Sequence, residues 1–454
     1  MHTTDENKIG VFEAISYCVG DIIGSGIFVS PSSILKHTGS VGLSLCTWAI
    51  GAVISMIGAF VYIELGTSIR KSGCDFAYLT HARWYPLATA FLFVSVTLTY
   101  PSILAIQTMT FGEYVVNGLE KLTDLDDVWK KRLQRLLGYS VLWILVFINF
   151  FSLKNFANST KEVNEIVLGL YGGLFAYNGW DILNFGTEEV VNPRRTLPIA
   201  ALCGIGISAV VYIAINMAYF GVLTIEEFKS SDTVAVIFAE RTLGNFSYVI
   251  PFLIALLLLG NLNTTIFGTS RYLHAGACNN RMPTVFKCVH PLSNSPRAAI
   301  IVEMLIAIGL SFLGDLDHLV NYMTYALWMQ RTIVQIALIY MRFKHFPFPK
   351  DRFRNPIFVP MLFFLICIAL LVIPVKNDYN VAIFAVPAVL IGLLIWLVFI
   401  YPTKLPKFLH IINEKVVIVG QIIFNIVPVP DSTDEVNNVS LPDNNEIVKN
   451  GKKE

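Results

Sequence analysis

The sequence is short of charge. Asp, Glu, Lys and Arg supply 14% of its 454 residues, against about 25% in an ordinary soluble domain, and the mean hydropathy is +0.62. That balance argues against a water-soluble enzyme. A nucleic-acid partner is excluded on a second count, because the formal net charge is +1 and the basic residues are dispersed among short loops with no basic stripe. The cysteines stand at positions 18, 46, 74, 203, 278, 288 and 367. They form no C-x-x-C set and no zinc-like spacing with histidine, so no metal site, cofactor or disulfide framework is expected. A cleavable signal is missing too: MHTTDENKIG at the start is polar and acidic, and the first apolar span is expected to serve as its own insertion signal.

What the sequence has in quantity is apolar residues, 55% of the total. A bilayer core of about 30 Å takes roughly 20 helical residues. Windows of that kind lie near residues 9–36, 41–69, 86–112, 134–153, 166–187, 197–223, 246–275, 298–314, 318–341, 357–375 and 380–402. A later stretch, EKVVIVGQIIF from Glu414, is too short to span. The last two dozen residues are polar, poor in aromatics and expected to be disordered.

Lys and Arg mark the cytoplasmic side. Arg70, Lys71 and Arg83 place the loop after the second window inside together with the N-terminus, and Arg281, Lys287, Arg297 and the RFKHFPFPKDRFR loop from Arg342 are inside as well. Asp315 and Asp317 mark an outside turn between them. Residues 113–133 run against this order with Lys121, Lys130, Lys131 and Arg132, accompanied by acids from Glu120 to Asp127. A parity conflict follows. LKNFANSTKE from Leu153 and EEVVNPRRTLP from Glu188 both read as inside, yet only the window 166–187 lies between them. An odd number of crossings cannot begin and end on one side, so that segment is re-entrant, or one basic loop is misassigned, or a span is absent.

Two apolar stretches are built to break. One is GDIIGSGIFVSP at 20–31, and the other is GLFAYNGWDILNFGTEEVVNP from Gly173. Lipid cannot satisfy free backbone groups, so such interruptions belong where the backbone faces protein or a cavity. Discontinuous helices in corresponding positions of two halves point to a midplane site. The plainer reading of Gly24, Ser25 and Gly26 is tight helix packing, and Phe175 and Trp180 taken alone read as core aromatics. Asp21 is harder to explain away. An acid near a span's centre costs about 2.5–3.5 kcal/mol, so it faces a cavity or a partner, or else lies at a wet helix end.

These two motifs, with GSVGLSLCTWAIGAVISMIGAFVYIELGTSIRKSGCDFAYL from Gly39, the RYLHAG and RMP segments and NYMTYALW from Asn321, resemble the L-type amino acid transporters. Those are the light chains of heteromeric amino acid transporters, within the amino acid-polyamine-organocation superfamily. The resemblance covers residues 9 to about 402 apart from one gap. It implies an all-α membrane protein with the inverted-repeat transporter fold: twelve spans, spans one to five and six to ten forming the two repeats, and the first and sixth helices broken. It also implies substrate contacts. Ser25 and Gly26 would hold the substrate carboxylate and Ile22 would lend a carbonyl to the ammonium. Phe175 and Asn178 would add carbonyls from the other broken helix, with Phe175 also the aromatic lid and Trp180 beside it. Asn178 stands where several relatives have Gly. Asp181 matches relatives that exchange cationic amino acids, and Asp21 is an extra charge near the site.

The chain departs from the family pattern in two places. VNEIVLG, residues 163–169, stands where the family has its whole fifth span and an extracellular loop. Eleven of twelve spans are therefore expected, which would account for the parity conflict. The loop from Glu113 to Arg132 contains no cysteine, so a single-span glycoprotein heavy chain, if one binds, is expected to be held without a disulfide. The expected organisation is a cytoplasmic N-terminus at 1–8, a transporter domain at 9–402 and a cytoplasmic tail at 403–454. The function implied is exchange of neutral, large or aromatic, L-amino acids across the plasma membrane by alternating access, without enzymatic chemistry. The alternatives are exchange of cationic amino acids, and a transport-inactive or regulatory isoform lacking one span. The expected partners are amino acids and the lipid bilayer.

Overall fold

In a computed structural model of the chain the first apolar window is not one helix. It is α1 (Val11–Ile22) followed by α2 (Gly26–Thr38), with Ile23–Ser25 between them belonging to neither helix. The structure describes residues 9–71, 73–120, 126–151, 174, 177–181, 183–184, 190–231, 233–291, 293–312, 316–349, 352–377, 380–402 and 407–428.

Local chemistry accounts for where the elements stop and start. Gly39 takes the left-handed conformation (φ +70°) that ends α2. Ser40 then caps α3 (Val41–Ser68), its hydroxyl accepting from the Leu43 N–H at 3.2 Å. A short helix α4 (Cys74–His81) leads to α5 (Tyr85–Val94), which runs through a π-turn at Ser95–Thr99 into α6 (Tyr100–Glu120). After α7 (Asp127–Phe151), the next long helix among the described residues is α8 (Pro193–Val222), whose leading proline lies in the first turn, where a backbone N–H has no acceptor within the helix. Two short helices, α9 (Ile225–Ser230) and α10 (Val234–Leu243), precede α11 (Val249–Cys278). Then come α12 (Arg297–Leu310), α13 (Leu316–Phe343), α14 (Phe358–Asn377), α15 (Asn380–Ile395) and α16 (Lys407–Phe424).

Six described helical stretches are long and apolar enough to cross a bilayer: Val41–Ser68, Tyr85–Leu119, Val128–Phe150, Pro193–Val222, Val234–Cys278 and Phe358–Val375. The outward faces of the long helices are apolar, with Val53, Trp143, Val210, Leu365 and Leu390 all exposed. So much exposed apolar surface suits lipid, not water. The expected window 318–341 is the 28-residue α13, and it is absent from those six because its buried face carries Gln330, Arg331 and Gln335. The window 166–187 lies mostly outside the described residues, as do the gap at 163–169 and the polar tail beyond residue 428.

In the core, α8 lies across α1 and α3, while α6 packs on α7, α11 and α12. Trp48, Trp328, Arg331, Tyr62 and Tyr78 are the bulkiest fully buried side chains. At one end of the bundle Arg342 reaches the Glu64 carboxylate, its Nε donating to Oε1 at 2.9 Å, and the Asn355 backbone N–H donates to Oε2 at 3.0 Å. Elsewhere Asn261, Thr265 and Thr269, spaced four apart on α11, turn a polar stripe inward. Gln107 donates to Thr265 at 3.0 Å and Thr269 donates to Glu303 at 2.6 Å. The stretch expected to be too short to span belongs to α16. It packs with Val417 and Gly420 beside Val285, and Val427–Pro428 beyond it pairs antiparallel with Cys288–Val289.

Candidate functional site

The break at Ile23–Ser25 brings the C-terminal end of α1 and the N-terminal end of α2 to one place. Aligned peptide dipoles leave a partial negative charge at the first end and a partial positive charge at the second, each with backbone groups that have no partner inside the helix. The pair suits a zwitterion. Charges of that sense favour an anionic group beside the start of α2 and a cationic one beside the end of α1. Ser25 is 2% exposed and Ile22 fully buried. The Ile22 carbonyl already has a donor, because the Tyr212 hydroxyl of α8 lies 2.9 Å from it. A carbonyl oxygen has a second lone pair, so this contact orients the group without exhausting it.

The second interruption packs directly on the first. Gly179 has φ +101°, a conformation that L-residues with side chains rarely adopt. A β-carbon built there would stand 2.6 Å from Oδ2 of Asp21 and 2.9 Å from its backbone carbonyl. Asp21 itself is in the last turn of α1 and half-buried. The two motifs, separated by about 150 residues in sequence, thus meet backbone to backbone. Of the other expected site residues, Asn178, Trp180 and Asp181 surround this junction, while Phe175 lies outside the described residues.

Trp180 is 3% exposed and meets the Tyr62 ring edge-on, with centroids 5.1 Å apart. Gly58 of α3 leaves the space that Trp180 and Phe363 fill; a β-carbon there would come within 3.1 Å of Trp180. On the other side Trp48, Tyr177 and Tyr212 form an aromatic group with centroids 5.0–6.4 Å apart. The fold therefore walls the junction with rings contributed by α3, α8 and the second broken segment.

One residue of this neighbourhood escapes the motifs altogether. Arg331, on α13, donates from Nη2 to Oδ1 of Asn178 at 2.8 Å and to Oδ2 of Asp181 at 3.1 Å. Its guanidinium lies over Trp180 at 4.6 Å and over Trp328 at 5.2 Å. Beside it, Gln330 donates to Oδ2 of Asp75 at 2.7 Å and accepts from the Ser95 hydroxyl at 2.8 Å. The sequence did carry a signal for Arg331, a guanidinium in the middle of an otherwise apolar window, which is costly enough to require a partner. No motif named the partner. The arrangement offers oriented backbone ends, an ion pair and aromatic walls, which can bind and select a small zwitterion. Among the described residues no group of His, Cys, Asp and Glu is placed to hold a metal ion.

Known proteins repeat this arrangement of sequence over nearly the whole chain. The amino acid permease family profile matches residues 9–161 and 151–403, in two parts. Amino acid transporter protein 6 of Caenorhabditis elegans is 41% identical, covering 95% of this chain and 91% of its own length. The human cystine/glutamate transporter is 31% identical over 94% of this chain and 92% of its own, and the mouse b(0,+)-type amino acid transporter 1 is 33% identical over 88% and 89%. The alignment to the nematode protein extends over 478 positions, more than the 454 residues of the chain, so it passes stretches of that relative with no counterpart here.

Proposed function

The chain belongs to the L-type amino acid transporter family, within the amino acid permeases, and from that premise we propose that it exchanges neutral L-amino acids across the plasma membrane by alternating access. The observation that carries the proposal is the junction of the two interruptions at Asp21 and Gly179. It sets a helix N-terminus and a helix C-terminus within reach of one bound amino acid. In this reading Ser25 and Gly26 hold the carboxylate, the carbonyls of Ile22 and Asn178 hold the ammonium, and Trp180 and Asp181 face the side chain. Phe175 is the lid over the substrate. No bond is made or broken, so the work of the site is to bind on one side and release on the other.

Uptake of labelled leucine by cells expressing the chain, and its release in exchange for external amino acid, is the test. Trans-stimulated efflux is expected, and uptake no higher than in untransfected cells would sink the proposal. Arginine uptake in the same cells decides between neutral and cationic substrates.

A second reading rests on the missing segment. In it the chain has eleven spans, the basic loop after α7 leads almost directly into the second broken helix, and the product is a transport-inactive or regulatory isoform that assembles with a full-length relative. The family match in two parts meeting at 151–161 supports the gap, as does the nematode alignment that outruns the chain. Sequencing the transcript across residues 157–170, and inserting a relative's fifth span at Glu165, test it directly. Transport regained on insertion favours this reading, and transport by the chain as it stands removes it.

A further inference from the structure

Arg331 is the charged group of the site that the transport reading leaves without a task. Its side chain is 1% exposed and held between two indole rings. Among the described residues only Nη2 has acceptors, on Asn178 and Asp181. Nε and Nη1 are buried with no acceptor among the described residues. A guanidinium carries five N–H donors in a fixed fork, and buried donors without acceptors are unfavourable unless a ligand or water supplies them. The described neighbouring acids do not take them. Asp75 is engaged by Gln330, and Asp21 lies against the backbone of Gly179.

The charge arithmetic of the pair is simple. Asp181 alone would draw a cationic side chain into the pocket, and Arg331 alone would draw an anionic one. Joined at 3.1 Å they cancel, and what remains is a set of buried N–H donors, on Nε and Nη1, with no acceptor among the described residues. We infer that Arg331 sets the charge class of the bound amino acid: paired with Asp181 it turns away cationic side chains and selects neutral ones that end in a hydrogen-bond acceptor, with the side-chain amide of glutamine or asparagine the best match. This rests on the amino acid transport reading above and narrows its substrate class.

The test is binding by the purified full chain, read as the ligand-induced shift in melting temperature with glutamine, leucine, arginine and glutamate, which requires no translocation. In the wild type glutamine is expected to bind at least tenfold more tightly than arginine. Arg331→Met is expected to reverse that order, Asp181→Asn to favour glutamate over arginine, and the double substitution to erase both preferences. Arg331→Lys keeps the charge and loses the fork, so it should still exclude arginine while glutamine weakens. A purely structural role would make the Lys and Met variants behave alike. Should Arg331→Met fail to fold, Asp181→Asn and Arg331→Lys decide the matter. An unchanged ligand order in every folded variant overturns the inference.

Labelled uptake separates this from the transport reading. A chain that binds by the charge rule but moves nothing keeps the inference and loses exchange, whereas one that moves leucine with no change of order in the variants does the reverse. Binding of no amino acid at all overturns both.

Discussion

Gly179 and Asp21 occupy one another's space: at φ +101° the glycine backbone lies so close to the aspartate that a β-carbon would stand 2.6 Å from the carboxylate and 2.9 Å from the backbone carbonyl. This contact fixes how the two broken segments sit on each other. Gly179→Ala is expected to cost at least the ~1–3 kcal/mol of a strained backbone position, with overlap added, and to abolish amino acid binding. Gly39 makes the control. It too has positive φ (+70°) but nothing within 4 Å of a built β-carbon, so Gly39→Ala should lower the melting temperature less and leave binding intact. Equal effects of the two substitutions would contradict the contact.

Glu64 and Arg342 tie α3 to the end of α13, with side chains only 1% and 6% exposed. Breaking a buried pair from one side leaves an uncompensated charge, typically ~3–5 kcal/mol of destabilisation. Arg342→Met should therefore unfold the detergent-solubilised protein at clearly lower temperature. Glu64→Met together with Arg342→Met should recover part of the loss, and a double-mutant cycle measures the coupling. Additive losses would mean the pair contributes no mutual stabilisation.

Tyr212 holds the Ile22 carbonyl at 2.9 Å. Replacing it with Phe leaves that buried acceptor without this donor, a loss of about 1–3 kcal/mol in the unliganded protein. If the same carbonyl receives a substrate ammonium, bound amino acid restores part of the loss. Ligand-induced stabilisation should then be larger in Tyr212→Phe than in the wild type. A smaller or equal shift would place the ammonium elsewhere.

Outside the spans, Glu227 closes a capping box on α9 with Thr224. The Thr224 backbone and hydroxyl hydrogen bonds, aided by Arg241, hold its carboxyl below the usual range. A folded-state value below the unfolded one means the carboxylate supports the cap above the unfolded pKa, and that support fades as pH falls through the folded one. Amide exchange across Ile225–Ser230, corrected for intrinsic rates, should lose protection as the solution is acidified below the ordinary carboxylate range. Glu227→Gln should remove that pH dependence, and a variant that keeps it would assign the effect to another group.

The interruptions were legible because they break a rule of the bilayer: glycine and polar residues amid apolar ones announce backbone that lipid cannot satisfy. Ser25, Gly26, Asn178 and Trp180 could be named on that ground and by resemblance. Arg331 was named by no motif, and although a guanidinium in an apolar window is a cost that calls for a partner, nothing in a linear chain says that residue 331 comes within 3.1 Å of residue 181. Tyr212 had no signal at all, because a tyrosine in an apolar helix looks the same whether its hydroxyl is satisfied by a neighbour or by a carbonyl 190 positions away.

By itself the sequence determined that this chain is a helical membrane protein of the amino acid permeases with two apolar stretches interrupted by glycine and polar residues, because apolar length and backbone satisfaction are properties of consecutive residues. Only the tertiary structure decided that the breaks meet at Gly179 and Asp21 and that Asp181 is matched by Arg331. Charge balance and close approach are set by which side chains the packing brings together, and local sequence does not encode that.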